Sequence, residues 1–448
     1  MWRRGRGAPA RQRGKLCLTP SISSDTLSLV IGLLTLLAVA FGRVPGVDLS
    51  RAVLALAGAV ALVVCGATDL PSALRHVDGE VLVLLFGLMV VNAALTEAGA
   101  FRLLTGLVAR GTIGPRRLLA GLVLTCGTLS ALFLNDTVAL MLTPLVIRSA
   151  RRLRLPPLPY LLGLALAVNA GSVATVTGNP QNVLVAVAAD IGYGAFALRL
   201  APVALMSLAV VFGVVALTFR SQLSGGRSGP AQQAQVELPQ VRAGPLVLAG
   251  SAALGMLVAF VLGAPVALAA VTAATLVLLG RGRASGNLLR RVDYALLVLF
   301  AALFVVVGVM ADTGVPQRWL QAWLPTSGPD LRIVGLTGLV TAALSTVVSN
   351  VPAVLMLLPA TGLESGGPSV LTAAAGIDKQ TLALTLAMAS TLAGNLTLVA
   401  SIANLIVAEG ARRLKVELGF WTYLKVGVPV TVVTLVLGTL WLAFVAPD

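Results

Sequence analysis

Apolar residues run along this chain in long blocks, each closed by a short polar or basic stretch. The blocks fall at about 26–42, 52–68, 81–96, 118–147, 158–189 and 199–219, and again at 245–262, 265–280, 292–311, 333–361, 380–409 and 421–445. A helix needs about 20 apolar residues to cross the hydrocarbon of a bilayer, so most blocks predict single spanning helices. Four blocks depart from that rule. Those at 118–147 and 333–361 are broken by polar tips, Asn135-Asp136-Thr137 and Ser349-Asn350-Val351-Pro352. The arms of the first, 118–134 and 137–147, hold 17 and 11 residues, each short of a span, so the pattern predicts re-entrant hairpins. The blocks at 158–189 and 380–409 are long but interrupted, the first by Thr177-Gly178-Asn179-Pro180-Gln181-Asn182. Proline and glycine there predict a helix unwound in mid-membrane.

The second six blocks repeat the first six. An offset of 215 places Ser130 on Ser345, Asn135 on Asn350, Pro144 on Pro359, Asp78 on Asp293, Glu97 on Asp312 and Gly99 on Gly314. From the interrupted block onward the offset is 222, which places Thr175 on Thr397 and Asn182 on Asn404. Each half predicts five spans and a hairpin, and an odd number of spans turns the second copy over. The expected fold is an all-α polytopic membrane protein of about ten transmembrane helices in two inverted five-span repeats, each with a re-entrant hairpin and a broken helix. The expected segments are a basic N-terminal tail at 1–24, repeat one at 25–219, a flexible linker at 220–244 and repeat two at 245–448. The linker is rich in Gly, Ser, Gln and Pro.

Of the 448 residues 57% are hydrophobic and only 11% charged, where a soluble domain carries about a quarter. The net charge of +15 lies in loops, so it predicts orientation in a membrane and not nucleic-acid binding. Both flanks of the first hairpin are basic. So are 281–291, with four Arg and no acid, and 411–425, with four basic residues and one Glu. Around the second hairpin, 312–332 and 361–380 together hold three basic and four acidic residues, as the outer side should. Parity alone dissents, since it puts the basic N-terminal tail outside. No small-residue cleavage site follows the first apolar block, so a removable leader is not expected.

The single histidine, His76, falls in a loop, and the chain has no Ser/His/Asp set, no HExxH and no GxxxxGK[ST],. Catalytic residues, a metal site, an organic cofactor and ATP-driven transport by this chain are therefore not expected. Cys17, Cys65 and Cys126 are too widely spaced for a disulfide framework or a zinc site. Cys126 lies in a hairpin arm, where one thiol cannot chelate a metalloid and reads as a small hydrophobe.

The polar tips carry the chemistry. If half-helices begin at Thr137 and Val351, their free N–H groups and positive dipole ends favour an anion, while unwound carbonyls suit a cation. The competing reading is that Asn135 and Asn350 only cap those helices. Asp136 is expected deep in the membrane, where loss of water favours the neutral carboxyl and suits proton coupling; it too has a capping alternative. Glu97 and Asp312 stand near span ends and read as solvated charges.

The motifs LNDTVALMLTP at 134–144, TGNPQN at 177–182, SNVPAVLMLLP at 349–359 and AGNLTLVASIANLIVAE at 393–409 resemble the ion transporter superfamily of arsenite permeases, divalent-anion:sodium symporters, citrate transporters and one group of sodium/proton antiporters. The resemblance covers about 25–445. It implies that the two tips meet near the midplane and, with the unwound segments, bind substrate and coupling ion. The positions carried over are Asn135, Asp136, Thr137, Gly178, Asn179, Asn182, Ser349, Asn350, Gly394, Asn395, Thr397 and Asn404. Sodium-coupled dicarboxylate members have Ser-Asn-Thr at both tips. Here the tips read Leu-Asn-Asp-Thr and Ser-Asn-Val-Pro, which is similar to the arsenite-permease-like branch.

The expectation is a secondary active transporter of a small anion or oxyanion, working by alternating access and coupled to H+ through Asp136. The alternatives are a sodium-coupled di- or tricarboxylate symporter and a sodium/proton antiporter. A channel is the reading from another class, separated by saturable, uphill transport. Expected partners are the substrate, the lipid bilayer and a second copy in a homodimer, with a multi-pass location in the cell inner (plasma) membrane.

Overall fold

The computed structural model describes residues 24–41, 49–100, 103, 114–224, 242–316, 318, 330–358 and 378–444. The expectations for the basic tail, for Pro359 and for 225–241 of the linker lie outside them. The described start of the linker is a short helix, Arg220–Ser224.

Among the described residues every regular element is a helix. The first half runs Ser24–Phe41, Arg51–Val64, the short Leu70–Arg75, Gly79–Ala98, a hairpin of Pro115–Leu132 and Asn135–Arg152, a broken helix of Pro157–Ser172 and Pro180–Ala188, and Tyr193–Thr218. The second half gives the same series: Ala243–Val261, Val266–Arg281, the short Ser285–Leu289, Tyr294–Asp312, Asp330–Val348 with Asn350–Leu357, Lys379–Ala393 with Ile402–Arg413, and Phe420–Phe444. Seven of these are long and apolar enough to cross a membrane, and Ser24–Ala40 and Arg51–Val64 are shorter apolar helices. Large apolar side chains such as Leu198, Leu205, Leu254, Leu268 and Val436 face outward, a surface that suits lipid and not water. The chain is a polytopic all-α membrane protein.

Local signals explain where helices begin and end. Asp78 and Asp293, at matching positions, accept hydrogen bonds from the amides of Val81 and Leu296 and cap equivalent helices,. At the other end, Gly99 and Gly314 take φ of 89° and 67°, the left-handed conformation glycine adopts most readily. Leu70–Arg75 and Ser285–Leu289 also match, and neither is long enough to show in a hydropathy pattern.

Two expectations change. The hairpin arms Pro115–Leu132 and Asn135–Arg152 hold 18 residues each, about 27 Å at 1.5 Å per residue. The returning arm is longer than its apolar part because Arg148–Arg152 stays helical through a basic end that needs no apolar burial. The break falls at Phe133-Leu134, where Phe133 is extended and Leu134 also leaves helical geometry. Asn135 and Asp136 therefore belong to the returning helix, which starts two residues before Thr137. Asn350 likewise opens its helix one residue before Val351.

The halves are interleaved. Arg51–Val64 packs on Tyr294–Asp312, and Val266–Arg281 packs on Gly79–Ala98; Asn135–Arg152 packs on Ile402–Arg413, and Asn350–Leu357 on Pro180–Ala188. Glu97, expected to be solvated, is instead mostly buried beneath Arg281, with Arg242 and Arg291 each 3.8 Å away. Its counterpart Asp312 is exposed and pairs with His76 at 3.0 Å. His76 and Arg291 are themselves 215 apart, so each pair joins one half to the other.

Close approach of the broken helix to the hairpin depends on Gly171. A Cβ there would stand 2.2 Å from the Gly127 carbonyl oxygen and 2.3 Å from its Cα, and backbone atoms cannot step aside. Gly171→Ala should lower the unfolding midpoint in detergent, at a cost of about 1–3 kcal/mol. Gly213→Ala, in Tyr193–Thr218 with open space around it, should instead stabilise by about 0.5–1 kcal/mol. Equal effects at the two glycines would contradict the packing described.

Candidate functional site

Each broken helix leaves backbone carbonyls without helical partners. Asn182 and Asn404, 222 apart, repair these breaks in the same way. Asn182 Nδ2 donates to the carbonyls of Ser172 and Thr175 at 2.9 and 2.8 Å. Asn404 Nδ2 donates to those of Gly394 and Thr397, also 222 apart from the first pair, at 2.7 and 3.2 Å. The hairpins are tied down equivalently: Ser130 Oγ donates to the Val168 carbonyl at 2.5 Å, and Ser345 Oγ to the Ser390 carbonyl at 3.1 Å.

Asn169 is the hub of the buried network. Its Oδ1 accepts from Asn135 Nδ2 at 3.2 Å and from Ser401 Oγ at 3.0 Å, and its Nδ2 donates to Asn395 Oδ1 at 3.0 Å and Asn404 Oδ1 at 3.1 Å. Its repeat partner Thr391 donates to Asn182 Oδ1 at 3.3 Å and accepts from Gln181 Nε2 at 3.0 Å and Asn179 Nδ2 at 3.4 Å. Each hub thus reaches the repairing asparagine of the other half. The sequence reading passed over both residues, although a polar residue on a fully buried membrane helix, matched at the 222 offset, was a usable signal.

Four helix N-termini converge on one cavity of about 50 Å³. They are Asn135 and Asn350 at the hairpin tips, and Pro180 and Ile402 at the helix breaks. None has a side-chain cap. Asn179 and Ser401 stand at cap positions but turn away, Asn179 Nδ2 donating to Ser172 Oγ at 2.5 Å and Ser401 to the hub. Asn135 Oδ1 accepts from the Asp136 amide at 2.8 Å, and Asn350 Oδ1 from Ser345 Oγ at 2.7 Å. Asn350 therefore caps no amide, and Asn135 takes up only the amide of the residue that follows it. Ser349, before Asn350, holds φ 78° and ψ 161°, a conformation that costs a non-glycine residue about 1–3 kcal/mol and is found where a site fixes it.

Of the twelve positions carried over, Asn135, Asp136, Asn179, Ser349 and Asn350 line this cavity. Asn182, Asn395 and Asn404 are buried behind it as ties. Gly178 and Gly394 lie at the breaks, where a Cβ would meet the Ser172 carbonyl oxygen at 2.3 Å and the Thr391 carbonyl oxygen at 3.0 Å. Thr137 and Thr397 do not reach the lining, and the buried Thr397 hydroxyl has no partner among the described residues. Arg51, not expected, joins the lining with the apolar Leu299, Phe300 and Leu303. A wider vestibule of about 990 Å³ adjoins and shares Arg51 and Ser349 with the cavity. No group of three or more His, Cys, Asp or Glu among the described residues could hold a metal.

Polytopic helices, paired hairpins and a polar cavity at their tips define the class of membrane transporters. Residues 33–365 match the family described as citrate transporter, CitMHS, and the chain belongs to that family. It is 31% identical over 475 aligned residues to the silicon efflux transporter LSI3 of Oryza sativa subsp. japonica, covering 92% of this chain and 96% of the relative. An uncharacterised transporter of Mycobacterium tuberculosis is 29% identical over 82% of this chain and 87% of its own length. The solved YdaH transporter of Alcanivorax borkumensis matches 94% of this chain and 97% of its own at a TM-score of 0.57 and 18% identity, a likeness of fold alone. The protein is a transporter and not an enzyme.

Asn169→Ala should destabilise the protein by about 3 kcal/mol, because it leaves several buried partners unpaired at about 1–3 kcal/mol each. A double-mutant cycle with Asn404→Ala, read from thermal unfolding, should give a coupling near 1 kcal/mol or more. Additive losses would mean that the hub bond contributes nothing.

Proposed function

We propose that the protein is a secondary active transporter of a small oxyacid or oxyanion, coupled to protons through Asp136 and working by alternating access between two inverted repeats in the cell inner membrane. The convergence of four uncapped helix N-termini on one cavity carries this reading. Their free N–H groups and dipole ends favour oxygen acceptors and negative charge. Size supports a small cargo: about 50 Å³ is room for a few waters, at about 10–15 Å³ each, and not for a tricarboxylate. The similarity to a silicon efflux transporter agrees with it.

Proton coupling is favoured over sodium by the fate of the unwound carbonyls. Those of Ser172, Thr175, Gly394 and Thr397 already accept from Asn182 and Asn404, so each has one of its two lone pairs engaged and is a weaker cation ligand. Asp136 is a carboxylate on the cavity wall whose oxygens accept no hydrogen bond among the described residues. It is free to exchange a proton with the passage. Basic flanks put the base of the first hairpin in the cytoplasm, and the acidic balance near the second puts its base outside.

In proteoliposomes, Asn135→Ala and Asn350→Ala should each reduce exchange of arsenous or silicic acid at least tenfold, with folding retained. Asp136→Asn should keep exchange at equal concentrations on both sides and lose accumulation driven by a pH gradient. Unchanged pH-driven accumulation in that variant would move the coupling elsewhere. Cysteines placed at Arg116 and Arg152 should react with impermeant reagent from the cytoplasm only, and one at Arg332 from outside only; labelling of all three from one side removes the inverted arrangement.

A further inference from the structure

Arg51 is the first residue of Arg51–Val64, where the positive end of the helix dipole disfavours a cation. Local propensity therefore does not account for it. It makes no hydrogen bond or ion pair among the described residues, although a guanidinium carries five donors in a planar fork. It lines both the tip cavity and the vestibule, and apart from it the charged lining of the tip cavity is Asp136 alone. The other vestibule cation, Arg412, is committed to Glu409 at 2.8 and 3.0 Å. Arg51 and Asp136 feel each other's charge without closing an ion pair.

An unclosed gap between a donor-only guanidinium and an ionised, acceptor-only carboxylate selects for a ligand that offers both. We propose that Arg51 and Asp136 grip the substrate jointly: Arg51 donates to its oxygens and Asp136 accepts from its hydroxyls, which makes the cargo a small hydroxylated inorganic acid. A neutral oxyacid carries donor and acceptor on every hydroxyl and bridges the pair. Fully deprotonated sulfate has acceptors only and meets the carboxylate as a like charge. The guanidinium also disfavours a cation at the tip cavity itself, although the wider vestibule adds Glu409 and Glu417 to Arg51 and Arg412. Arg51 is thus a specificity residue at the junction of the two spaces, and this assignment rests on the oxyacid reading above.

The test is exchange of arsenous acid and silicic acid, with sulfate as the contrast, by purified protein in proteoliposomes. The wild type should exchange the two hydroxylated acids and prefer them over sulfate by at least tenfold in KM. Arg51→Gln should raise KM for both acids tenfold or more with the maximal rate within about twofold, and should narrow the gap to sulfate. Arg51→Lys keeps the charge and loses the fork, so its KM should fall between the two; it carries the test if Arg51→Gln does not fold. Unchanged KM for arsenous and silicic acid in Arg51→Lys and in folded Arg51→Gln overturns the role of Arg51 while leaving the oxyacid reading intact. A wild type that exchanges sulfate or citrate and neither hydroxylated acid overturns that reading itself.

Discussion

A helix interrupted inside a membrane exposes backbone groups where no bulk water can satisfy them, and each unsatisfied group costs several kcal/mol. The architecture follows from how that cost is met. Carbonyls at the two breaks are taken up by Asn182 and Asn404, each spanning its own gap with one amide. Amides at the four helix starts are left uncapped and directed at a shared cavity. The break carbonyls are satisfied within the protein, whereas the helix starts, apart from the Asp136 amide held by Asn135, have no side-chain cap. That asymmetry sets the sign of the site.

The ties also bind the halves together. Asn169 reaches Asn404 and Thr391 reaches Asn182, so the residue closing each break is held from the opposite repeat. The same exchange recurs where each half's hairpin helix packs on the other's broken helix. The breaks of each half are thus held in place by contacts from the other. The two clasps between the halves differ. Glu97 is buried under Arg281, whereas the exposed Asp312 meets His76.

Sequence pattern alone settled a good deal. Block lengths and fixed offsets reveal helices, hairpins and a duplication because lipid imposes a length on every span and a penalty on every polar interruption. Those are one-dimensional constraints, and with the motif resemblance they single out Asn135, Asp136, Asn179, Ser349 and Asn350, which the fold brings to one cavity. Even so, the pattern misplaced the start of the returning helices, since hydropathy registers polar residues and not whether they are already helical.

Only the tertiary structure decided which polar residues face the cavity and which face backbone. Asn182 and Asn404 match motif positions as well as Asn135 does, yet they are spent on carbonyls ten and seven residues back. Arg51 lies beside a predicted loop, far in sequence from Asp136, and reads as an ordinary flanking charge until the fold places both on one cavity wall. Glu97 and Asp312 are equivalent in sequence and opposite in burial. Hydropathy and repeat spacing record what each position costs in lipid. Partners are fixed by distances between segments that sequence leaves unspecified, and in this protein those distances separate an amide tied to backbone from one that lines the cavity.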